Sequence, residues 1–132
     1  MTEDDLPAAR QLWAETEGVK LAEGDSVAEL TAYLRRNPGM SFVAHGDERL
    51  VGAILAGHDG RRGYLYHLAV SPPQRGKRLG RRLAEKSIST LKAAGIVRAL
   101  ILVFRDNASG EQFWSKRGWE TLTFAQPMGL DL

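Results

Sequence analysis

The segment Leu65–Leu83 constrains this chain most, because its residues suit a strand, a tight loop and a helix start in that order. Over 63–70, Tyr64, Tyr66, Leu68 and Val70 alternate with Leu65, His67 and Ala69. Both sets are largely apolar, which predicts an interior strand covered on both faces. The run Ser71-Pro72-Pro73-Gln74-Arg75-Gly76-Lys77-Arg78-Leu79-Gly80 cannot continue it, since two prolines and two glycines impose a loop. From about 77 to 94, Leu79, Leu83, Ala84, Ile88 and Leu91 recur at helical spacing, with Gly95 as the stop. A strand that enters a helix through such a loop aims several backbone amides at one point, at the positive end of the helix dipole. Gly76 and Gly80 keep side chains away from that point, while Arg75, Lys77, Arg78 and Arg81 add full charges. Five of the eight residues from Arg75 to Arg82 are basic, in a chain of net charge +2. That contrast points to one discrete phosphorylated ligand rather than to an extended polyanion. A solvated basic helix face has the same composition, so the rest of the chain must decide between them.

Elsewhere the periodicities are consistent with a single domain over 1–132, without repeats or linkers. Thr2-Glu3-Asp4-Asp5-Leu6-Pro7 reads as a helix start, followed by Leu6, Ala9, Leu12, Trp13 and Thr16 at helical spacing. Residues 17–25 read as an acidic, glycine-bearing loop. Ser26-Val27-Ala28-Glu29 is a capping box opening a second helix that stops at Asn37-Pro38-Gly39. Strands are expected near 40–45, 50–57 and 63–70. A further strand is expected over Val97–Phe104, a helix from Asn107 to Arg117 closing at Gly118, and final strands over Trp119–Phe124 and Met128–Leu132. The order is ααβββαβαββ. It describes an α/β (α+β) fold with a mixed, mostly antiparallel sheet flanked by about four helices.

Two stretches of this pattern resemble the GNAT superfamily of N-acetyltransferases. Leu68-Ala69-Val70-Ser71-Pro72 followed by Arg75-Gly76-Lys77-Arg78-Leu79-Gly80 resembles its strand, turn and Arg/Gln-x-x-Gly-x-Gly/Ala helix start. Asn107-Ala108-Ser109-Gly110-Glu111-Gln112-Phe113-Trp114-Ser115-Lys116-Arg117-Gly118-Trp119 resembles its Asn-x-x-Ala-x-x-Phe-Tyr-x-x-x-Gly-Phe stretch. The resemblance implies acetyl transfer from acetyl-CoA, as donor co-substrate, to a primary amine of a small molecule or peptide. It further implies that the amides of residues 75–81, Leu79 included, cradle the coenzyme pyrophosphate. The backbone of Leu68, Ala69 and Val70 would pair with the pantetheine arm and polarise the thioester carbonyl. Asn107, with Phe113 and Trp114 on its helix, would contact the arm from the other side.

Three positions depart from the family pattern: Arg78 stands where glycine is usual, Trp114 where many relatives carry an acidic tyrosine, and Leu102 where some carry a glutamate base. An indole N–H donates a hydrogen bond but is no useful acid. His67, just before the acyl-binding stretch, becomes the candidate base, because imidazoles titrate near neutrality. Tyr66, like Tyr64, is a candidate to orient the acceptor or relay a proton. His58-Asp59 reads as turn chemistry. The loop acids Glu15, Glu17, Glu23 and Asp25 offer a place for a cationic acceptor.

Several classes are excluded or disfavoured. Without cysteine there is no disulfide framework, thiolate metal site or cysteine nucleophile. The three histidines are not spaced as a ligand set, so no metal is expected. No apolar run approaches the roughly 20 residues of a membrane span, and the acidic start is unlike a targeting signal. A cytoplasmic protein without membrane or nucleic-acid partners is therefore expected. Many members of the family that the sequence resembles open with a short strand, whereas this chain enters a helix almost at once. A missing edge strand would favour a homodimer joined through the sheet. A catalytically silent acetyl-CoA-binding sensor is the alternative reading.

Overall fold

In the computed structural model, which describes residues 1–132, the polar start does what its composition requires. The Thr2 amide donates to the Asp5 carboxylate at 2.7 Å, and a 3-10 turn over Glu3–Asp5 leads into α1, Leu6–Glu15. Its apolar stripe of Leu6, Ala9, Leu12 and Trp13 is buried. The capping box closes as expected: the Ser26 amide donates to Glu29 Oε2 at 3.0 Å and the Glu29 amide to Ser26 Oγ at 3.2 Å. It opens α2, Val27–Arg36.

Four strands follow this pair of helices in one sheet: β1 (Phe42–His45), β2 (Leu50–His58), β3 (Gly63–Val70) and β4 (Ala99–Ile101). They lie in the order β1-β2-β3-β4, the first two pairings antiparallel and the last parallel. Helix α3, Leu79–Ala93, connects β3 to β4. Ala53, Leu55 and Ala69 join Leu6, Ala9, Leu12, Trp13, Leu30 and Leu34 in one buried cluster, so α1 and α2 cover one sheet face. On the other face, a Cβ added at Gly52 would stand 3.0 Å from Leu83, and one at Gly63 2.8 Å from Leu91. The missing side chains let α3 approach the sheet closely. The mixed, mostly antiparallel α/β architecture is thus the one expected.

Two features of the sheet correct the sequence reading. Ala53 faces Ala69 while Leu55 faces Tyr66, so β3 carries one residue more than β2 between these pairs, and His67 takes a left-handed φ of 55°. This bulge breaks the strict alternation expected over 63–70. Tyr66 and Ala69 both pack toward the α1–α2 cluster, although three positions apart. Strand β4 is also shorter than the expected Val97–Phe104. Its ladder covers only Gly63–Leu65 against Ala99–Ile101, and Val97 and Leu102 are 93% and 69% exposed. Bulges bend a strand and increase its twist, and the β3–β4 ladder ends just before this one.

The chain separates into two compact units, Met1–Leu102 and Val103–Leu132. The second is built around α4, Ala108–Ser115, which Asn107 caps and Gly118 (φ 86°) follows in the left-handed region. Phe113, Trp114 and Trp119 pack edge to face. The strands expected over Trp119–Phe124 and Met128–Leu132 do not form. Neither segment has a ladder partner for its backbone groups, and Phe124, Met128, Leu130 and Leu132 are exposed. No helix is long and apolar enough to cross a membrane.

Candidate functional site

The loop after β3 is held at both ends. The Ser71 amide donates to the Val51 carbonyl at 2.8 Å, and a 3-10 turn over Pro72–Gln74 follows. Gly76 then takes φ 80° and Arg78 φ 61° before α3 begins. The Arg82 amide makes the first intrahelical bond, to the Arg78 carbonyl at 3.0 Å. The amides of Leu79, Gly80 and Arg81 therefore precede the helical ladder, and no side chain caps them. A Cβ at Gly76 would meet nothing within 4 Å, so the approach there is open. The loop and the uncapped helix start follow the strand as the sequence reading expected, with the helix starting two residues later. Arg78 keeps the left-handed path that a glycine would follow without strain.

The five basic side chains are not equivalent. Arg81 pairs with Glu85 one turn along α3, at 2.7 Å. Arg75 Nε donates to the Val70 carbonyl at 3.0 Å, which ties the loop back to the strand end. Lys77, Arg78 and Arg82 form no salt bridge and remain available to a phosphate. Beside the cradle, β4 pairs with β3 only as far as Leu65. The edge of β3 over Tyr66, Leu68, Ala69 and Val70 thus has no strand neighbour on that side, where the Val70 carbonyl is taken by Arg75.

His67 occupies the bulge. Its Nε2 lies 2.9 Å from Asp25 Oδ1, and its ring centre is 5.2 Å from that of Trp13 on α1. Asp25 is buried, its Oδ2 accepts the Ala22 amide at 3.0 Å, and its carbonyl accepts Arg10 Nε at 2.7 Å. Asp25 is therefore not the solvated loop acid that the sequence reading offered to a cationic acceptor. Burial obliges the carboxylate to find partners within the protein. Glu15, Glu17 and Glu23 do remain exposed. The His67–Asp25 pair spans 42 positions, and no local spacing announces it.

Tyr66 stacks on Tyr64 with ring centres 6.0 Å apart. Burial, and after it the neighbouring Tyr64, raises the Tyr66 phenol above its ordinary pKa. Tyr33 on α2, missed in the sequence, is raised further, by burial first and Tyr66 second. Both phenols stay protonated at neutral pH, so they can donate hydrogen bonds but not act as bases. His58 and Asp59 are engaged in their turn: His58 Nδ1 accepts the Gly60 amide at 3.0 Å, and Asp59 Oδ1 accepts those of Arg61 and Arg62 at 2.8 Å each.

In the second unit, Asn107 Oδ1 accepts the Gly110 amide at 3.0 Å and the Ser109 hydroxyl at 3.2 Å. Its carbonyl oxygen is thus occupied in capping α4. Trp114 stands between Phe113 and Trp119, with ring centres 4.9 and 5.2 Å away. The Arg117 guanidinium lies 3.7 Å from the Phe113 ring centre.

A family model described as acetyltransferase (GNAT) matches residues 6–119. An acetyltransferase of Pectobacterium atrosepticum is 28% identical over 120 residues, 91% of this chain and 84% of the relative. Among solved structures, Ard1 from Thermoplasma volcanium superposes with a TM-score of 0.76 at 18% identity, covering 89% of this chain and 78% of that one. The PaiA N-acetyltransferase from Thermoplasma acidophilum, solved with coenzyme A, gives 0.71 at 22% identity, covering 89% and 84%. At these identities the two structures bear on the fold alone.

Proposed function

This chain belongs to the acetyltransferase (GNAT) family, and from that membership we propose that it transfers the acetyl group of acetyl-CoA directly to a primary amine of a small molecule or peptide. The observation that carries the reading is the junction of β3 and α3. There an open strand edge runs straight into a cradle of uncapped amides with Lys77, Arg78 and Arg82 unpaired. An extended ligand ending in phosphates needs both parts, the edge for its amide-bearing arm and the cradle for its charge.

Acetyl-CoA supplies an acetyl thioester: a C–N bond to the amine forms, the C–S bond breaks, and the coenzyme thiolate leaves. Residues 75–81 hold the pyrophosphate, with Gly76 and Gly80 giving access to the backbone. Leu68, Ala69 and Val70 hold the arm and aim an amide at the thioester oxygen. Amides fixed in advance on the developing negative charge are the largest common source of rate in acyl transfer. His67 accepts the proton of the attacking nitrogen, and Tyr66 orients the acceptor as a donor. The assignment of Asn107, Phe113 and Trp114 to coenzyme binding rests on the family motif alone. A thiol leaves without an acid near neutral pH, since its pKa is about 8–9, so a tryptophan at 114 is compatible with turnover. Action in the cytoplasm belongs to the same reading, and the free edge of β1 (Phe42–His45) is where two copies would pair.

Calorimetric titration with acetyl-CoA, its 3′-dephospho form and the Arg75→Ala/Arg78→Ala variant tests the cradle. Binding that the substitutions weaken roughly tenfold or more supports it, and no binding at millimolar ligand withdraws the enzyme reading. Release of free thiol with spermidine, glucosamine and an unblocked alanyl peptide separates a transferase from a silent acetyl-CoA sensor. The absent acidic tyrosine favours the sensor as second reading.

A further inference from the structure

We infer that Asp25 is a positioning carboxylate for His67, holding its ring as the Nε2–H tautomer and leaving Nδ1 as the proton acceptor. The inference rests on the reading of His67 as the base and deepens it.

A carboxylate only accepts hydrogen bonds, so the 2.9 Å contact between His67 Nε2 and Asp25 Oδ1 places the ring proton on Nε2. A neutral imidazole carries one donor and one acceptor, and Nδ1 forms no hydrogen bond with the protein. The carboxylate cannot swing away, because Ala22 holds its other oxygen and Arg10 its main-chain carbonyl. Trp13, wholly buried, closes against the imidazole ring. Asp25 is the only buried carboxylate of the chain.

A purely structural partner for Asp25 would not need this arrangement. The backbone of His67 is left-handed, with φ 55°, a conformation uncommon for any residue other than glycine. Such an outlier persists only where the surroundings impose it, and it concentrates at functional positions. The bulge also places His67 immediately before the open edge of Leu68–Val70. As the C–N bond forms and the C–S bond breaks, the proton of the attacking amine passes to Nδ1. The resulting imidazolium is held opposite Asp25 until it returns the proton to solvent or to the thiolate.

Long-range 1H–15N NMR of the imidazoles in the full chain reads the tautomer without needing the acceptor. The wild type should show His67 as Nε2–H, and a predominant Nδ1–H form would overturn the inference. In Asp25→Asn, the side-chain amide can turn its N–H toward Nε2 and reverse the tautomer. With acetyl-CoA and the amines named above, kcat should then fall roughly 100-fold or more, with KM for acetyl-CoA within about twofold. His67→Gln separates the two ideas. If it abolishes turnover while Asp25→Asn changes neither tautomer nor kcat, Asp25 has no positioning role and the base stands. If His67→Gln is fully active, the base reading fails and the catalytic meaning of Asp25 fails with it. Should Asp25→Asn not fold, the wild-type tautomer still decides.

Discussion

Replacing Arg78 by glycine should stabilise the fold while weakening the ligand site, and the structure says by how much. Arg78 holds φ 61° at the N-cap of α3, where an L-residue pays roughly 1–2 kcal/mol and glycine almost nothing. Against this, glycine loses more freedom on folding, about 0.4–1 kcal/mol. Removing a cation from the positive end of α3 returns about 0.3–1 kcal/mol at an exposed site in low salt. The net expectation for Arg78→Gly is a gain of about 1 kcal/mol, or roughly 3–5 °C in Tm for a chain of this size. Arg78→Ala is the control, since it removes the same charge without relieving the backbone. Thermal and urea denaturation followed by circular dichroism should place glycine about 1 kcal/mol above alanine. Calorimetry should show both variants binding acetyl-CoA more weakly. Equal stability of the two variants, or a less stable glycine, would refute the claim that the loop stores strain at this residue.

The other expectations are smaller in scope. Gly57→Ala should destabilise by about 1–3 kcal/mol in urea melts. Its Cβ would overlap the Tyr33 hydroxyl and stand 2.6 Å from Asn37 Nδ2, disturbing the Asn37 Oδ1 that accepts the His58 amide at 2.9 Å. Glu29 and Asp59 both have lowered pKa values, Glu29 chiefly through its side-chain bond with Ser26 and Asp59 chiefly through the Arg62 amide. Their stabilisation is therefore complete above the ordinary carboxylate range and lost as pH falls through the lowered folded values. Stability curves between pH 2 and 6 should lose part of this slope in Glu29→Gln and Asp59→Asn, and unchanged slopes would contradict the assignment.

Much of the fold could be read without coordinates, and the exceptions share a cause. Both early helices, their buried stripes, the Ser26–Glu29 box and the loop from Ser71 to Gly80 follow from residues close together in the chain. The β4 ladder, by contrast, stops at Ile101, although apolar residues continue on both sides of it. An apolar run shows that a strand is permitted, while its length depends on how far a neighbour stays beside it. The final segments, equally apolar in pattern, found no such neighbour.

At the site the division is the same. Gly76, Gly80 and the basic cluster announce an anion cradle by themselves, because helix starts, turn glycines and local charge are settled by backbone sterics and near neighbours. Asp25 read as one loop acid among four until folding buried it against His67, and His67 read as a candidate base on a regularly alternating strand until the register with β2 placed a bulge there. Which groups lose water, and which partner replaces that water, depends on chain segments meeting across dozens of residues. The sequence alone therefore pointed to one loop as the place for an anion, and the tertiary structure alone decided which carboxylate stands behind the histidine.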